Sequence, residues 1–230
     1  MASITINLLA GFKPAAVVKH VLAIASSTDK AIAPLRQVFA ASKVVEPEWL
    51  SAALSNLKPL KETANTIDFL LPSTQEGSPF VKFVVAVLPS THSRNNSPSH
   101  CHTVNSVVKA NKGSGDAVIV VSPQDYNAAF AQACAASRNF PLFNLKSGQS
   151  HVPTHIDIVV DSDAVSEAQL NVIRSNVENI RFAQRLVDMP PNLLHVDSYI
   201  TEARVVAEKL GAQILIIQGK ELEERGFGGL

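Results

Sequence analysis

The sequence has 230 residues, of which 46% are hydrophobic and 17% are charged, and 20 basic residues balance 20 acidic ones. This apolar content without net charge excludes a disordered chain, and it excludes a basic footprint for nucleic acid at the level of the whole chain. At about 150 residues per domain, the length corresponds to roughly one and a half domains.

The sequence predicts neither a targeting segment nor a membrane span. Residues 1–11 have no basic stretch before their short apolar run, and the longest apolar runs fall far short of the roughly 18 residues that a bilayer requires. Two cysteines, Cys101 and Cys134, fit a reducing compartment better than a disulfide scaffold. We therefore expect a soluble, cytoplasmic protein that binds neither membranes nor nucleic acid.

Strands and helices alternate along the first 161 residues. Helices are expected to begin near Glu46-Pro47 and at Ser122-Pro123, the second running to about Asn139, and a surface loop is expected at residues 90–99. Apolar runs predict strands at residues 3–8, 20–25, 82–88, 117–121 and 156–160. Continuous apolar strands are usually covered on both faces, so the pattern predicts a layered α/β domain.

A long amphipathic helix is predicted next. Its apolar positions repeat at spacings of four and three, a capping box is possible at Ser166 and Gln169, and Pro190-Pro191 ends it. About 20 helical residues span roughly 30 Å, so we expect this helix to bridge two domains. The apolar positions are Ile173, Val177, Ile180, Ala183 and Val187.

The remaining residues predict the opening of a second domain. A helix near residues 197–210 with Gly211 as its cap, an apolar strand at 213–217 and a short helix at 220–225 follow one another. A single apolar strand needs neighbours that pair its backbone and cover its faces. We therefore predict an α/β domain over 1–161, a linker helix over 162–189 and an incomplete second α/β domain over 190–230.

One cluster contains residue types that bind zinc. His100, Cys101 and His102 are consecutive, with His92 nearby, but adjacent residues diverge in direction on either a strand or a helix. The spacing also lacks the paired ligands of a tetrahedral site. A polar loop followed by a helix start is the favoured interpretation.

Two glycine-containing segments could approach a ligand. Residues 112–116 (KGSGD) precede a strand, whereas a dinucleotide fingerprint follows one, so a tight helix-to-strand turn is favoured. Residues 226–229 (GFGG) are interpreted chiefly as a connection that permits positive φ.

Individual reactive side chains have ordinary interpretations. Cys134 lies among alanines on an apolar helix face, and His195 lies in a loop after the proline pair. Glu221, Glu223 and Glu224 lie on a short charged helix, and no G-x-S-x-G elbow occurs. We predict no catalytic, metal-binding or cofactor-binding residue in this chain.

One stretch resembles a known family. Residues 180–192 (IRFAQRLVDMPPN) resemble the junction A-R-x-L-V-x-x-P-x-N that opens the catalytic domain of the leucine aminopeptidase (cytosol aminopeptidase) family, and residues 199–203, 209–211 and 219–229 continue the match. Earlier residues resemble the animal probable-aminopeptidase-like branch, namely 93–99 (SRNNSPS), 138–143 (RNFPLF) and Ser147-Gly148.

The resemblance implies a two-domain enzyme, usually a homohexamer. A macro-like N-terminal α/β domain would be joined by a long helix to a domain that binds two divalent metals, zinc or manganese, and removes N-terminal residues from peptides. The family motif N-T-D-A-E-G-R-L is absent from these 230 residues, and so are the lysine- and aspartate-bearing segments before it. No metal or catalytic residue is therefore carried over.

The leading hypothesis is thus a non-catalytic N-terminal portion of a metallo-aminopeptidase, inactive alone, which serves assembly and access to the active site. Two alternatives remain open. The macro-like domain could bind a nucleotide such as ADP-ribose, on fold analogy alone. A short product could also associate with full-length subunits through uncovered apolar surface.

Overall fold

The computed structural model describes residues 4–11, 18–94, 97–113, 115–143, 154–163 and 165–228. The strands are β1 (Ile4–Ala10), β2 (His20–Ala25), β3 (Asn65–Pro72), β4 (Phe80–Val87), β5 (Ala117–Ser122) and β6 (Thr154–Val160). The helices are α1 (Thr28–Ala41), α2 (Leu50–Ser55), α3 (Cys101–Asn111), α4 (Tyr126–Ser137), α5 (Glu167–Asp188), α6 (Val196–Leu210) and α7 (Lys220–Glu224).

The six strands form one sheet in the order β1-β6-β5-β2-β4-β3. Each neighbouring pair is parallel except β3 and β4, which form an antiparallel pair at one edge. Helices lie between the parallel strands in sequence, as crossover connections require. The mixed α/β class predicted from the sequence is confirmed.

Both faces of the sheet carry a hydrophobic core. Alternate residues of β2 point to opposite faces, so Leu22 and Ile24 belong to one cluster whereas Val21 and Ala23 belong to the other. Helices α3, α4 and α5 cover the first face, and α1 and α2 cover the second. This two-sided burial is the reason why the central strands are apolar throughout.

An aromatic cluster holds the antiparallel edge against the second face. The Phe83 ring of β4 stacks on Phe69 of β3 at 5.6 Å between centroids and meets Phe39 of α1 edge-on at 4.8 Å. Trp49 then meets Phe69 edge-on at 5.4 Å. Such pairs add stabilisation beyond the apolar area that they bury.

The chain divides into two compact units, Met1–Arg185 and Leu186–Leu230. The second unit contains α6 and α7. Helix α6 ends at Gly211, whose φ of 65° is the left-handed cap that the sequence predicted. None of the helices in the described part of the chain could cross a membrane.

The strand predicted at residues 213–217 is wrong. Residues 212–218 adopt no regular secondary structure. The segment has the β-branched composition of a strand, but no other described segment pairs with its backbone. A strand depends on a partner, and composition alone does not supply one.

Candidate functional site

The sheet has a topological switch point between β2 and β5. These strands are parallel neighbours, yet the helix after β2 (α1) covers one face and the helix after β5 (α4) covers the other. In open α/β sheets, ligands bind in the crevice outside the carboxyl ends of such strands. This edge is therefore where a sheet of this topology would bind a nucleotide or another anionic ligand.

The groups at this edge do not favour an anion. The Ser27 hydroxyl accepts the Lys30 amide at the start of α1, and the Asp125 carboxylate accepts the Ala128 amide at 2.8 Å at the start of α4. Beyond β6, burial and the nearby Asp163 raise the pKa of Asp161 above its usual value. Carboxyl groups thus occupy positions where a phosphate would need positive charge.

The zinc-type cluster lies at the start of α3. His100 adopts a left-handed conformation with φ of 52°, and the helix begins at Cys101, where a helix start was predicted. The His92 and His100 rings lie 6.2 Å apart between centroids, and burial together with His92 lowers the pKa of His100. Within the described residues, no group of three or more His, Cys, Asp or Glu side chains is arranged to hold a metal.

The KGSGD segment connects α3 to β5, which is the helix-to-strand connection that was predicted. Ser114 lies outside the described residues. The Lys112 ammonium donates to the Asn139 carbonyl at 2.6 Å and lies 5.5 Å from the Phe140 ring centroid. Burial and then Lys109 lower the pKa of Lys112. Lys112 therefore contacts the residues that follow α4.

The two cysteines differ in environment. Cys134 is buried within the core, as predicted, and burial raises the pKa of its thiol to about 11. Cys101 is half-buried at the first position of α3. Reactivity depends on the thiolate, so Cys134 has the properties of a packing residue.

Side chains from α5 hold a set of backbone carbonyls that the sequence analysis missed. The buried Arg181 donates to the Phe140 carbonyl at 3.0 Å and to the Ile4 carbonyl at 2.7 Å. Arg174 donates to the Leu8 carbonyl at 2.9 Å, and Gln184 donates to Arg138 at 3.2 Å. We call Arg174, Arg181 and Gln184 the carbonyl clasp.

The carbonyl clasp occupies backbone carbonyls of β1. This strand lies at the parallel edge of the sheet, where backbone groups are otherwise available to pair with another chain. Arg174 and Arg181 are seven residues apart, two helical turns, and they reach carbonyls four residues apart on β1. This spacing is the signal in the sequence that could have suggested the contact.

The second unit places the remaining candidate residues on its surface. The His195 ring lies 3.8 Å from the Asp197 carboxylate, and Arg225 pairs with Glu221 at 2.6 Å. A cavity of about 510 Å³ is lined by Asp197, Ile200, Arg204, Ile216, Gln218 and Glu221. Gly226 has φ of 80°, consistent with the predicted connection, whereas Gly229 lies outside the described residues.

Apolar exposure is the main feature of this second unit. None of its described residues, 186–228, is buried. Val196 is 76% exposed, Leu210 is 73% exposed and Leu215 is 72% exposed. Further large apolar side chains in this unit are also exposed, namely Val187, Leu193, Tyr199, Val205, Val206, Ile214 and Phe227.

Comparison with known proteins identifies the family. Residues 43–149 match the family described as M17 aminopeptidase N-terminal domain 2. A human relative, probable aminopeptidase NPEPL1, is 33% identical over 195 residues, which are 82% of this chain and 35% of that protein. Leucine aminopeptidase 1 of Caenorhabditis elegans is 32% identical over 150 residues, 62% of this chain and 29% of that protein. The chain thus spans about a third of the length of these curated relatives.

Solved structures share the fold. Caenorhabditis elegans leucine aminopeptidase superposes with a TM-score of 0.76 at 21% identity, over 97% of this chain and 44% of that one. Leucyl aminopeptidase from Leishmania major, solved with actinonin, gives a TM-score of 0.73 at 24% identity, over 99% of this chain and 43% of that one. The resemblance seen in the sequence is confirmed: this chain belongs to the M17 leucine aminopeptidase family and carries its N-terminal domain.

Proposed function

We propose that this chain is a non-catalytic N-terminal portion of a metal-dependent, leucyl-type aminopeptidase, and that it serves assembly and access to the active site. The observation that carries the proposal is the contrast between the two units. The first buries both faces of its sheet, whereas the second has no buried residue in its described part and exposes large apolar side chains. Such surface is typical of a segment that other protein covers.

The domain organisation belongs to the same proposal. We place the N-terminal domain at 1–161, the linker helix at 162–189 and the beginning of the catalytic domain at 190–230. In support, α5 buries Leu170, Ile173 and Val177 in the core of the first unit, and the division between units falls near its end, after Arg185.

The chemistry of the parent enzyme would lie outside this chain. Two divalent metals, zinc or manganese, are expected in the family's catalytic domain, where they would supply a hydroxide nucleophile and polarise the peptide carbonyl. The residues present do not fit such a centre. The described residues contain no group of three or more His, Cys, Asp or Glu side chains arranged to hold a metal, and the sequence lacks N-T-D-A-E-G-R-L. We therefore assign no catalytic step to any residue here.

Assembly is the role that the surface favours. We propose that the exposed apolar residues of α6 and of residues 214–217 are covered by the rest of an aminopeptidase subunit, within a homohexamer of the full-length enzyme. A cytoplasmic location, with peptides as substrates of the parent enzyme, completes the proposal and is supported by relatives named cytosol aminopeptidase.

Two measurements test this proposal. The purified 230-residue chain, supplied with Mn²⁺ or Zn²⁺, is expected to release no product from a leucyl p-nitroanilide reporter, with a full-length family enzyme as positive control. Metal-dependent release by the chain would overturn the assignment as non-catalytic. A tagged chain co-expressed with that full-length enzyme is expected to co-elute with it by size exclusion. Separate elution of the two proteins would contradict the role in assembly.

A further inference from the structure

His20 occupies an unusual position at the start of β2. In the parallel register it lies between Lys82 of β4 and Ala117 of β5, both in the sheet. Its Nε2 atom is inaccessible to solvent and has no hydrogen-bond partner among the residues that the structure describes. The imidazole also interacts with the backbone of Asn111, the last residue of α3.

The chain packs closely over this ring. Gly113 adopts φ of 64°, and a Cβ atom at that position would lie 2.9 Å from His20 Nδ1. The imidazole is thus in contact with the C-terminal end of α3 through Asn111 and Gly113. The contact is independent of both the carbonyl clasp and the apolar surface of the second unit.

We propose that neutral His20 is an acid-sensitive latch, which holds the C-terminal end of α3 against the sheet and releases it when the imidazole is protonated. The latch is a conformational device that goes beyond the proposed role in assembly. A protonated ring would carry a second N–H with no acceptor at the buried Nε2, beside an existing positive charge. A buried donor without an acceptor destabilises the closed arrangement.

The charged groups around His20 support this direction. Lys82 of β4 opposes a positive imidazole and is itself paired with Asp68 of β3 at 3.2 Å. On β5, Ala117 is uncharged, and the preceding Asp116 accepts the His155 amide at 2.7 Å. From α3, the Asn111 backbone favours the protonated ring, but burial has the larger effect and lowers the pKa of His20 below 6.5.

The sign of the pH dependence follows from linkage. Because the pKa is lowered in the closed state, the stabilisation by neutral His20 is complete well above pH 6.5 and is lost as the pH falls below that value. For a ring that titrates normally once α3 opens, the opening constant rises as the pH falls from 7.5 to 5.5, by at most about tenfold.

Hydrogen exchange tests the latch in the whole chain. Amides near the end of α3, residues 107–113, are expected to lose protection at pH 5.5 relative to 7.5, by up to about tenfold, after correction for intrinsic exchange rates. His20→Gln should abolish this change, whereas His102→Gln, an exposed histidine on the same helix, should retain it. Unchanged protection in the wild type, an equal loss throughout the sheet, or a full effect in His20→Gln would overturn the proposal.

If His20→Gln does not fold, a second measurement on the wild-type chain still tests the latch. An NMR titration of the wild-type imidazoles is expected to give His20 a pKa below 6.5. A His20 pKa at or above 6.5 would overturn the latch. Neither readout depends on aminopeptidase activity or co-elution, so the latch and the proposed function fail separately.

Discussion

Helices α5 and α6 both carry apolar residues at helical spacing, but only α5 buries them. In α5, the stripe through Ile173 and Val177 is buried against the sheet of the first unit. In α6, the stripe through Ile200 and Leu210 has the same spacing, yet no residue of this helix is buried. Periodicity therefore identifies the face that requires cover, whereas burial depends on whether a partner element is present.

The largest expected difference between the units concerns core truncation. Phe83 is fully buried between two aromatic rings, so Phe83→Ala should lower the free energy of unfolding by about 3–5 kcal/mol. Phe227 is 46% exposed in the second unit, and Phe227→Ala should change it by less than about 0.5 kcal/mol. Urea unfolding monitored by circular dichroism compares the two. Similar losses would remove the distinction between a packed and an uncovered unit.

Arginine substitutions give the next largest contrast. Arg181→Ala leaves the Ile4 and Phe140 carbonyls without this donor, and we expect a loss of about 2–3 kcal/mol in unfolding free energy. Arg225→Ala removes an exposed pair with Glu221, for which about 0.5 kcal/mol or less is expected. The same urea titration measures both variants. An unchanged free energy of unfolding in Arg181→Ala would show that the carbonyl clasp does not stabilise the fold.

A matched pair of glycines isolates packing from backbone strain. Gly113 and Gly211 have nearly identical φ values of 64° and 65°, but only Gly113 has an atom within 4 Å of a built Cβ. Alanine at either position incurs strain of about 1 kcal/mol, and Gly113→Ala must also displace His20. We expect a lower unfolding midpoint for Gly113→Ala and an unchanged midpoint of the first unit for Gly211→Ala. Equal shifts in the thermal midpoint of that unit would contradict this account.

Thiol labelling gives the smallest effect and needs no substitution. At pH 8 the Cys134 thiol is protonated as well as buried, because its pKa is about 11. We expect a maleimide to modify the half-buried Cys101 first and Cys134 only as denaturant opens the first unit. Mass spectrometry of labelled peptides distinguishes the sites. Equal labelling rates in native buffer would mean that the core of the first unit opens readily.

The sequence predicted the central strands because they are buried on both faces and therefore continuously apolar. It did not predict β3, whose exposed positions include Thr66 and Asp68 at the sheet edge. It also missed α1, which contains Pro34, a residue that usually interrupts a helix. β3 is stabilised by its pairing with β4 and by the stacking of Phe69 on Phe83, and α1 by the contact of Phe39 with Phe83, none of which appears in local periodicity.

Local sequence patterns predicted some of the candidate functional residues and missed others. Local spacing was sufficient to predict that residues 112–116 connect a helix to a strand and that Cys134 is buried. The carbonyl clasp and the His20 contact join residues that are far apart in sequence: Arg181 is 177 positions from Ile4. The error at residues 213–217 has the same origin, because the strand composition is present without a pairing partner in the described part of the chain.

Hydrogen exchange of the isolated chain tests the central claim most directly. If the first unit is packed and the second is uncovered, amides of β5 and α4 should exchange on the order of a thousandfold more slowly than amides of α6, after correction for intrinsic rates. Co-assembly with a full-length family enzyme should then slow exchange in α6. Equal protection of α4 and α6 in the isolated chain would contradict the account.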